Sequence, residues 1–312
     1  MASSRPYHSI CARRSRIDRD LLLTKGKPCI SILLVLAWFG ANSSFAGCPD
    51  ESGDESVIES ENLRVVTLNI AHGRKDSRNQ MLLKGETIRG NLEDVALSLE
   101  KADAHLIALQ EADAESAWSG RFNHVELLAE TAGYPCFVHG IHASNRMYDF
   151  GTALLSGYPF QGWFSHSFKP SKPTTTKGFV VAALKWNPAG ALPQAIEVKF
   201  VSVHLDFSRR SVRRSQIDEM VSLLSKIEGP MVLLGDFNTD WQTEDSSLVY
   251  LAEQLNLIVY EPHAEGLSTY GDKGARLDWI LISPGLQFRK YVVVPDAISD
   301  HYAVAAEIIL ED

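Results

Sequence analysis

Eight polar side chains stand at or beside the ends of apolar segments, and their types suit catalysis at a metal ion. The set comprises Asn69, Glu111, His204, Asp236, Asn238, Asp278, Asp300 and His301. Asp278 lies inside the apolar run Leu277-Asp-Trp-Ile-Leu-Ile282. A carboxylate in an apolar strand is costly unless it is paired or bound to a cation. Because strand ends on one edge of a sheet converge, we predict that these residues form one site.

The ligand types in this set indicate which cation would bind. Carboxylate and amide oxygens are hard ligands that suit Mg²⁺, Mn²⁺ or Ca²⁺. The sequence contains no His-Glu-x-x-His motif, no Cys-x-x-Cys pair and no glycine-rich P-loop. These absences argue against a thiolate zinc site and against hydrolysis of nucleoside triphosphates.

The segments that must position these residues alternate between strand and helix patterns. Strands are predicted at 63–70, 105–111, 136–141, 150–156, 178–186, 196–205, 231–235, 277–283, 289–295 and 302–310. Helices are predicted at 86–101, 122–132, 211–227 and 248–255. The composition, 45% hydrophobic and 22% charged, is that of a globular protein and excludes a disordered or collagen-like chain. We interpret residues 61–312 as one α/β domain with two β-sheets between outer helix layers.

Six short motifs follow one another in a fixed order between residues 63 and 310. They are Thr67-Leu-Asn-Ile70, Leu109-Gln-Glu111, Ser202-Val-His-Leu205, Gly235-Asp-Phe-Asn238, Leu277-Asp-Trp-Ile280 and Ser299-Asp-His301. In order and spacing they resemble the endonuclease/exonuclease/phosphatase superfamily, also called DNase I-like. The resemblance implies a four-layer α/β sandwich, with two central mixed β-sheets flanked by helices. It also implies metal-dependent cleavage of phosphoester bonds.

The resemblance assigns metal binding and water activation to five of the eight residues. Glu111 resembles the principal metal ligand, with Asn69 beside it and Asp300 as a further contributor. The implied cofactor is Mg²⁺ or Mn²⁺. Asp236 resembles the family residue that orients or deprotonates the attacking water, and Asn238 assists it.

The other three residues match family groups that act on the phosphate. His301 matches the histidine that contacts the scissile phosphate, and Asp278 matches the carboxylate that orients it. His204 matches a histidine that contacts phosphate or assists the leaving group. The sequence departs from the family where Thr152 and Gly157 replace an Asn and an Arg that are often present.

The charge of the chain is divided unevenly and bears on the substrate. Residues 1–47 contain seven Lys/Arg and two Asp/Glu, so residues 48–312 contain 23 basic and 37 acidic residues, a net charge of −14. An anionic substrate therefore needs a local basic patch or a bound cation. The cluster of Arg209, Arg210, Arg213 and Arg214 is one candidate. We assign substrate binding to Arg209 and Arg213, and a solvated face is the alternative.

Several residues outside the motifs have a structural and a functional interpretation. Lys169, Lys172 and Lys177 lie on a polar loop that we predict to be solvated, although such a loop can contact a nucleic-acid backbone or a lipid headgroup. Trp118 is interpreted as a buried anchor, with stacking on a substrate as the alternative. A structural or surface role is predicted for His139, His142, His166 and His263.

Three functions are compatible with the sequence. The first is hydrolysis of phosphodiesters, with nucleic acid as one substrate class. The second is a phospholipid or sphingomyelin-type phosphodiesterase, or an inositol-type phosphatase. The third is a non-catalytic binding module, which the intact polar set argues against. We expect the protein to be a monomer.

The first 47 residues have the composition of an export leader. A basic stretch ends at Lys27, and the eleven-residue apolar run Cys29–Phe39 follows it. This run is too short to span a bilayer but suits the core of a signal peptide. We therefore predict a protein that is periplasmic, secreted or lipid-anchored to a membrane.

Two processing routes remain open at the end of this leader. Ser44-Phe45-Ala46 is a small-x-small cleavage site, whereas Phe45-Ala46-Gly47-Cys48 resembles a bacterial lipobox in which Cys48 would be acylated and tether the protein to a membrane. Without acylation, an exported protein can pair Cys48 with Cys136. The acidic and small residues of 48–60 predict a flexible tether.

Overall fold

The computed structural model of the protein describes residues 44–48, 56–271 and 274–311. The predicted leader up to residue 43 and the tether segment 49–55 lie outside the described residues. None of the helices in the described ranges combines the length and the apolar character needed to cross a bilayer.

Within those ranges the chain forms fourteen strands and four α-helices. The strands are β1 (Phe45–Gly47), β2 (Ile58–Glu59), β3 (Leu63–Asn69), β4 (Leu106–Asp113), β5 (Cys136–Ser144), β6 (Asp149–Ser156), β7 (Gly162–Ser167), β8 (Gly178–Asn187), β9 (Ile196–His204), β10 (Met231–Asp236), β11 (Ile258–Val259), β12 (Asp278–Ile282), β13 (Leu286–Val293) and β14 (Val304–Leu310). The helices are α1 (Gly85–Ala102), α2 (His124–Thr131), α3 (Arg210–Leu224) and α4 (Ser247–Leu255). Every strand and helix expected from the sequence is present, and the short strands β1, β2, β7 and β11 are additional to that expectation.

The strands form two mixed sheets of seven strands each. The first sheet has the order β1-β5-β6-β4-β3-β14-β13, and the second has the order β11-β12-β10-β9-β8-β2, with β7 paired to β8. Parallel pairs lie inside both sheets, β3 with β4 and β9 with β10. Helix α1 connects the first pair and α3 connects the second. Each crossover brings the carboxyl ends of its two strands to the same edge of a sheet.

Three apolar clusters separate the layers. The central cluster joins the inner faces of the two sheets, for example Leu106 of the first and Phe200 of the second. A second cluster packs α1 and α2 on the outer face of the first sheet, with Leu92 fully buried. A third packs α3 and α4 on the outer face of the second sheet, through residues such as Ile217 and Leu248. The predicted four-layer α/β sandwich is confirmed.

Helix α1 follows from its residue spacing and fixes the relation between β3 and β4. Its buried residues Ile88, Leu92, Val95 and Leu99 recur every three or four positions, which gives one apolar stripe. The helix ends at Asp103, whose left-handed conformation turns the chain into β4.

Two segments before residue 61 also join the sheets. Strand β1 pairs with β5, and β2 pairs with β8. Directly after β1, Cys48 forms a disulfide with Cys136 at the start of β5, 88 residues further along the chain. The described parts of the predicted leader and tether therefore contribute strands. The sulfur of Cys48 cannot carry an acyl group while it is in this disulfide.

Candidate active site

Strand register brings the predicted site residues to one rim of the sandwich. In the second sheet Asp236, the last residue of β10, lies opposite His204 on β9 and opposite Asp278 on β12. In the first sheet Asn69 lies opposite Gln110 at the ends of β3 and β4. The two strand ends meet where Asn69 Nδ2 donates to Asp236 Oδ2 across 3.0 Å.

Asp236 is at the centre of the site. Its Oδ1 accepts a hydrogen bond from the backbone N–H of Asn238 at 2.9 Å. Its Oδ2 lies 3.4 Å from His204 Nε2 and 4.0 Å from His301 Nε2. Burial raises the pKa of Asp236 to about 7, against the opposing effect of the His301 charge. A carboxyl group with this pKa can hold or release a proton near neutral pH.

His301 and Asp278 form a buried pair beside Asp236. His301 Nδ1 lies 2.8 Å from Asp278 Oδ2. Burial opposes a charged imidazole, but the carboxylate of Asp278 raises the pKa of His301 to about 10. The ring is therefore cationic near neutral pH, and Asp278 fixes its orientation. The second oxygen of this carboxylate, Asp278 Oδ1, is buried without a hydrogen-bond partner among the described residues.

Glu111 lies on the other side of His204, at an irregular point of β4. The register of β4 against β6 shifts between Leu109 and Ala112, and Glu111 has a φ of 51°. A β-bulge of this kind redirects a side chain away from the regular pleat. Glu111 Oε1 lies 3.9 Å from His204 Nε2, so His204 is close to both Glu111 and Asp236. Although burial opposes it, the cationic groups around Glu111 hold its pKa well below the usual range.

Lys177 belongs to this site, and the prediction that it lies on a solvated loop is wrong. Only 5% of its surface is exposed. Its Nζ lies 3.4 Å from His204 Nδ1 and 3.9 Å from Glu111 Oε1. Burial, and next the charge of Lys177, hold the pKa of His204 well below its usual value, so this imidazole is neutral. The sequence feature that could have indicated this burial is the position of Lys177 directly before β8. Its neighbour Gly178 pairs with His204 in the β8–β9 register.

His72 and Asp113 also escaped the sequence analysis. His72 Nε2 lies 3.3 Å from Glu111 Oε2, and its Nδ1 lies 2.6 Å from Asp113 Oδ2. Both residues are buried. Trp118, which we interpreted as an anchor, donates from Nε1 to Asp113 Oδ1 at 2.6 Å. His72 follows Asn69 closely in the sequence, and Asp113 follows Glu111. However, a single histidine in a predicted loop does not by itself indicate a role in the site.

Asp300 points to a different partner from the other predicted metal ligands. Its Oδ2 forms an ion pair with Arg74 Nη2 at 2.5 Å. Its Oδ1 lies 3.4 Å from Ser299 Oγ. Asp300 still contributes negative charge near His301, since it helps to raise the pKa of that histidine. Its assignment as a metal ligand stays a prediction.

The two arginines assigned to substrate binding make contacts within the protein. Arg209 donates to the backbone oxygens of Ser171 and Lys172, and so ties the loop before β8 to the start of α3. Arg213 Nη1 donates to the backbone oxygen of Asp206 at 2.9 Å. These bonds use much of the donor capacity that the predicted anion contact would need.

The donor set of the site fits a hard divalent cation. Carboxylate oxygens of Asp236 and Asp278 and a ring nitrogen of His301 lie within 4.8 Å of one another, and the two carboxylates provide the ligand atoms because His301 is cationic. The unpartnered Asp278 Oδ1 has unused acceptor capacity in this group. Glu111 Oε1 provides a further oxygen ligand on the adjoining strand end, and the amide oxygen of Asn69, which accepts from the backbone N–H of Ala71 at 3.0 Å, keeps a second lone pair. Because His301 Nδ1 is already bonded to Asp278, oxygen atoms provide most of the available ligands.

Comparison with known proteins supports the class that this fold and site define. The sequence model of the endonuclease/exonuclease/phosphatase family matches residues 66–301. An endonuclease/exonuclease/phosphatase family protein from Leptotrichia buccalis is 18% identical, with a TM-score of 0.60 over 79% of this chain and 99% of that chain. The mannosyl-6-phosphatase of Bacteroides thetaiotaomicron is 15% identical, with a TM-score of 0.58 over 80% and 100%. The beta toxin of Staphylococcus aureus is 19% identical, with a TM-score of 0.56 over 78% and 99%.

No curated protein matches the sequence closely enough to serve as a relative. The family match nevertheless spans most of the chain, and the protein belongs to the endonuclease/exonuclease/phosphatase family. Members of this family are generally phosphoester hydrolases, so the protein is a phosphoesterase in this general sense. The family resemblance of the six motifs is thereby confirmed.

Proposed function

We propose that this protein is a divalent-metal-dependent hydrolase of phosphodiester bonds. The observation that carries the proposal is that two carboxylates and two imidazoles lie close together at one rim of the sandwich. Glu111 and Asp236 both lie within 4 Å of His204 Nε2, and His301 Nε2 lies 4.0 Å from Asp236. Carboxylates for a cation, a base for water and cationic or polar groups for phosphate are thus combined on one rim.

Glu111 and Asn69 would hold the cation, with Asp278 Oδ1 as an adjoining oxygen ligand. A bound Mg²⁺ or Mn²⁺ neutralises charge on phosphoryl oxygens and lowers the pKa of water. Asp236 accepts the proton of the attacking water, because its Oδ2 faces the site between His204 and His301. The backbone N–H of Asn238 holds Asp236 Oδ1 in place during this transfer.

Three nitrogen groups act on the charge of the phosphate. His301, cationic beside Asp278, stabilises the negative charge that develops on the phosphoryl oxygens. Lys177 provides a second positive charge at the opposite side of His204. With Lys177 against its Nδ1, His204 carries its proton on Nε2, from which it can donate to phosphate or to the leaving group.

Small phosphoesters or lipid headgroups suit this site better than nucleic acid. The body of the chain, residues 48–312, has a net charge of −14. Arg209 and Arg213, the predicted anion contacts, are bonded to backbone oxygens of the protein itself. A phosphomonoesterase is the second candidate, because the mannosyl-6-phosphatase has the same fold.

Export of the protein is part of the proposal. The leader composition supports it, and the disulfide between Cys48 and Cys136 is compatible with an oxidising compartment. Because a single sulfur cannot be both acylated and disulfide-bonded, we favour the route without a lipid anchor.

The test is hydrolysis by the purified full chain with Mg²⁺ or Mn²⁺, with and without a chelator. The substrates are plasmid DNA, sphingomyelin, an inositol phosphate and bis-p-nitrophenyl phosphate. We expect turnover of at least one diester that the chelator abolishes, and Asp236→Asn should reduce it by about 10²- to 10⁴-fold. Cleavage of the monoester alone would select the phosphatase, and no turnover of any substrate with either metal would contradict the proposal.

A further inference from the structure

Two backbone segments in the left-handed region face each other at the rim. Ala71, His72 and Gly73 have φ values of 46°, 55° and 69° in succession. Glu111, on the neighbouring strand, has a φ of 51°. Non-glycine residues adopt this conformation at a cost that the surrounding structure must offset. The turn at 71–73 therefore holds His72 in a position that the backbone would not choose by itself.

His72 connects Glu111 to a buried carboxylate. Its Nε2 lies 3.3 Å from Glu111 Oε2, and its Nδ1 lies 2.6 Å from Asp113 Oδ2. Because a carboxylate can only accept, His72 Nδ1 donates to Asp113 Oδ2, and Nε2 forms a longer ion-pair contact with Glu111 Oε2. The imidazole thus fixes the direction in which Glu111 Oε2 points.

Asp113 is itself held rigidly. It is fully buried, and its other oxygen, Oδ1, accepts from Trp118 Nε1 at 2.6 Å. The ring of His72 packs between Trp118 and Phe150, with centroid distances of 5.0 and 4.8 Å. Rotation of the imidazole would break the hydrogen bond to Asp113, the contact with Glu111 and these ring contacts, so the chain Trp118–Asp113–His72 is fixed up to Glu111.

We propose that the Trp118–Asp113–His72 chain is a positioning device that orients Glu111 for cation binding. His72 occupies Glu111 Oε2 and leaves Oε1 facing the site, where it lies 3.9 Å from both Lys177 Nζ and His204 Nε2. Glu111 therefore offers the cation one oxygen in a fixed direction. Side-chain contacts of this kind orient metal ligands, and their loss typically costs about 10- to 100-fold in metal affinity. The inference rests on the proposed metal dependence.

Two substitutions at position 72 separate positioning from packing. In His72→Gln the side-chain amide reaches the position of Nε2 and keeps a donor for Glu111. In His72→Asn the amide reaches the position of Nδ1, keeps the hydrogen bond to Asp113 and loses the contact with Glu111. Both changes remove the ring and its aromatic contacts, so they share the packing defect. Asp113→Asn tests the next member of the chain.

The measurement is direct binding of Mn²⁺ to the full chain, followed by electron paramagnetic resonance of the free ion. We expect affinity to fall in the order wild type, His72→Gln, His72→Asn, with the Asn variant weaker than wild type by about 10- to 100-fold. Asp113→Asn should also weaken binding. The matched control is His139→Gln, because His139 is equally buried in β5 but its Nε2 bonds to the backbone oxygen of Ala112. Circular dichroism and thermal unfolding confirm that each variant is folded.

The outcomes distinguish this inference from the proposed function. Equal losses of Mn²⁺ affinity in His72→Gln and His72→Asn would show that His72 acts through packing alone. Unchanged or tighter Mn²⁺ binding by His72→Asn would overturn the inference outright. Failure of the wild type to bind Mn²⁺ would instead overturn the metal dependence on which both proposals rest.

Discussion

His301 at the rim of the candidate site and two histidines of β5 are all buried, but the charges of their rings differ. At the rim of the candidate site, His301 is buried against Asp278, 2.8 Å away. In β5, His139 is buried against the backbone oxygen of Ala112, and His142 against the hydroxyl of Thr152. The rings are similarly inaccessible to water, so the comparison isolates the effect of the partner.

The partner decides the charge of the ring. Burial by itself lowers the pKa of an imidazole, because it disfavours the charged form. In β5 this effect dominates, and the pKa falls to about 4 for His139 and to about 3 for His142. At the rim the carboxylate of Asp278 outweighs burial and raises the pKa of His301 to about 10. The charge of His301 therefore depends on the carboxylate to which it is hydrogen-bonded, whereas His139 and His142, which bond to neutral oxygens, are neutral core residues.

Removing that carboxylate tests the comparison most severely. In Asp278→Asn the partner of His301 becomes neutral, so we expect the histidine to lose its charge as those of β5 do. The rate constant kcat for bis-p-nitrophenyl phosphate should fall by about 10²- to 10³-fold, as for the loss of one transition-state donor, and His301→Ala should fall by a similar amount. Exposed His263 gives the control His263→Ala, which should keep wild-type turnover. Near-normal kcat in folded Asp278→Asn and His301→Ala would contradict the roles given to both residues.

Lys177 extends the comparison from histidines to a lysine. It is buried like the rings of β5, but it faces Glu111 and His204. We expect Lys177→Met, which keeps the length of the side chain and removes its charge, to reduce kcat/KM for bis-p-nitrophenyl phosphate by about 10²-fold. Lys169→Met, at an exposed position of the same loop, is the matched control and should have little effect. Equal kcat/KM values for the two variants would show that Lys177 does not act on the substrate.

The smallest expected effect is on the stability of the folded protein in acid, to which the buried histidines of β5 contribute. His139 has a pKa of about 4 when folded and 6.5 when exposed, so between these pH values the unfolded chain binds a proton that the folded protein excludes. Folding free energy is therefore lost as the pH falls from 6.5 towards 4. In His139→Gln this loss should be smaller by on the order of 1 to 3 kcal/mol. Urea unfolding at pH 7 and pH 5 measures it, and an identical pH dependence in both proteins would refute the neutral assignment.

The fold and the centre of the site could be predicted because both depend on local pattern. Runs such as Met231-Val-Leu-Leu-Gly235 define buried strands by composition, and Asp236 follows directly at the strand end. Antiparallel and parallel register then places Asp236 opposite Asp278 and His204. The convergence of these residues needed no long-range information beyond the assumption that strand ends share an edge.

Burial of loop residues could not be predicted in the same way. Lys177 is in a polar stretch, and only the pairing of Gly178 with His204 carries it into the site. Arg209 is in an equally polar stretch, yet its guanidinium is bonded to the loop at Ser171 and Lys172. Composition is the same in the two cases, whereas the packing of neighbouring loops differs.

By itself, the sequence determined the succession of strands and helices, the family of the chain and the acids and histidines at its strand ends, since these follow from patterns a few residues long. Tertiary structure alone decided which loop residues join these groups and what charge each group holds. It places Glu111 at a β-bulge, buries Lys177 beside it and brings His72 into contact with Asp113. The physical reason is that a pKa and a ligand direction depend on atoms within a few ångströms, which this chain gathers from segments far apart in sequence.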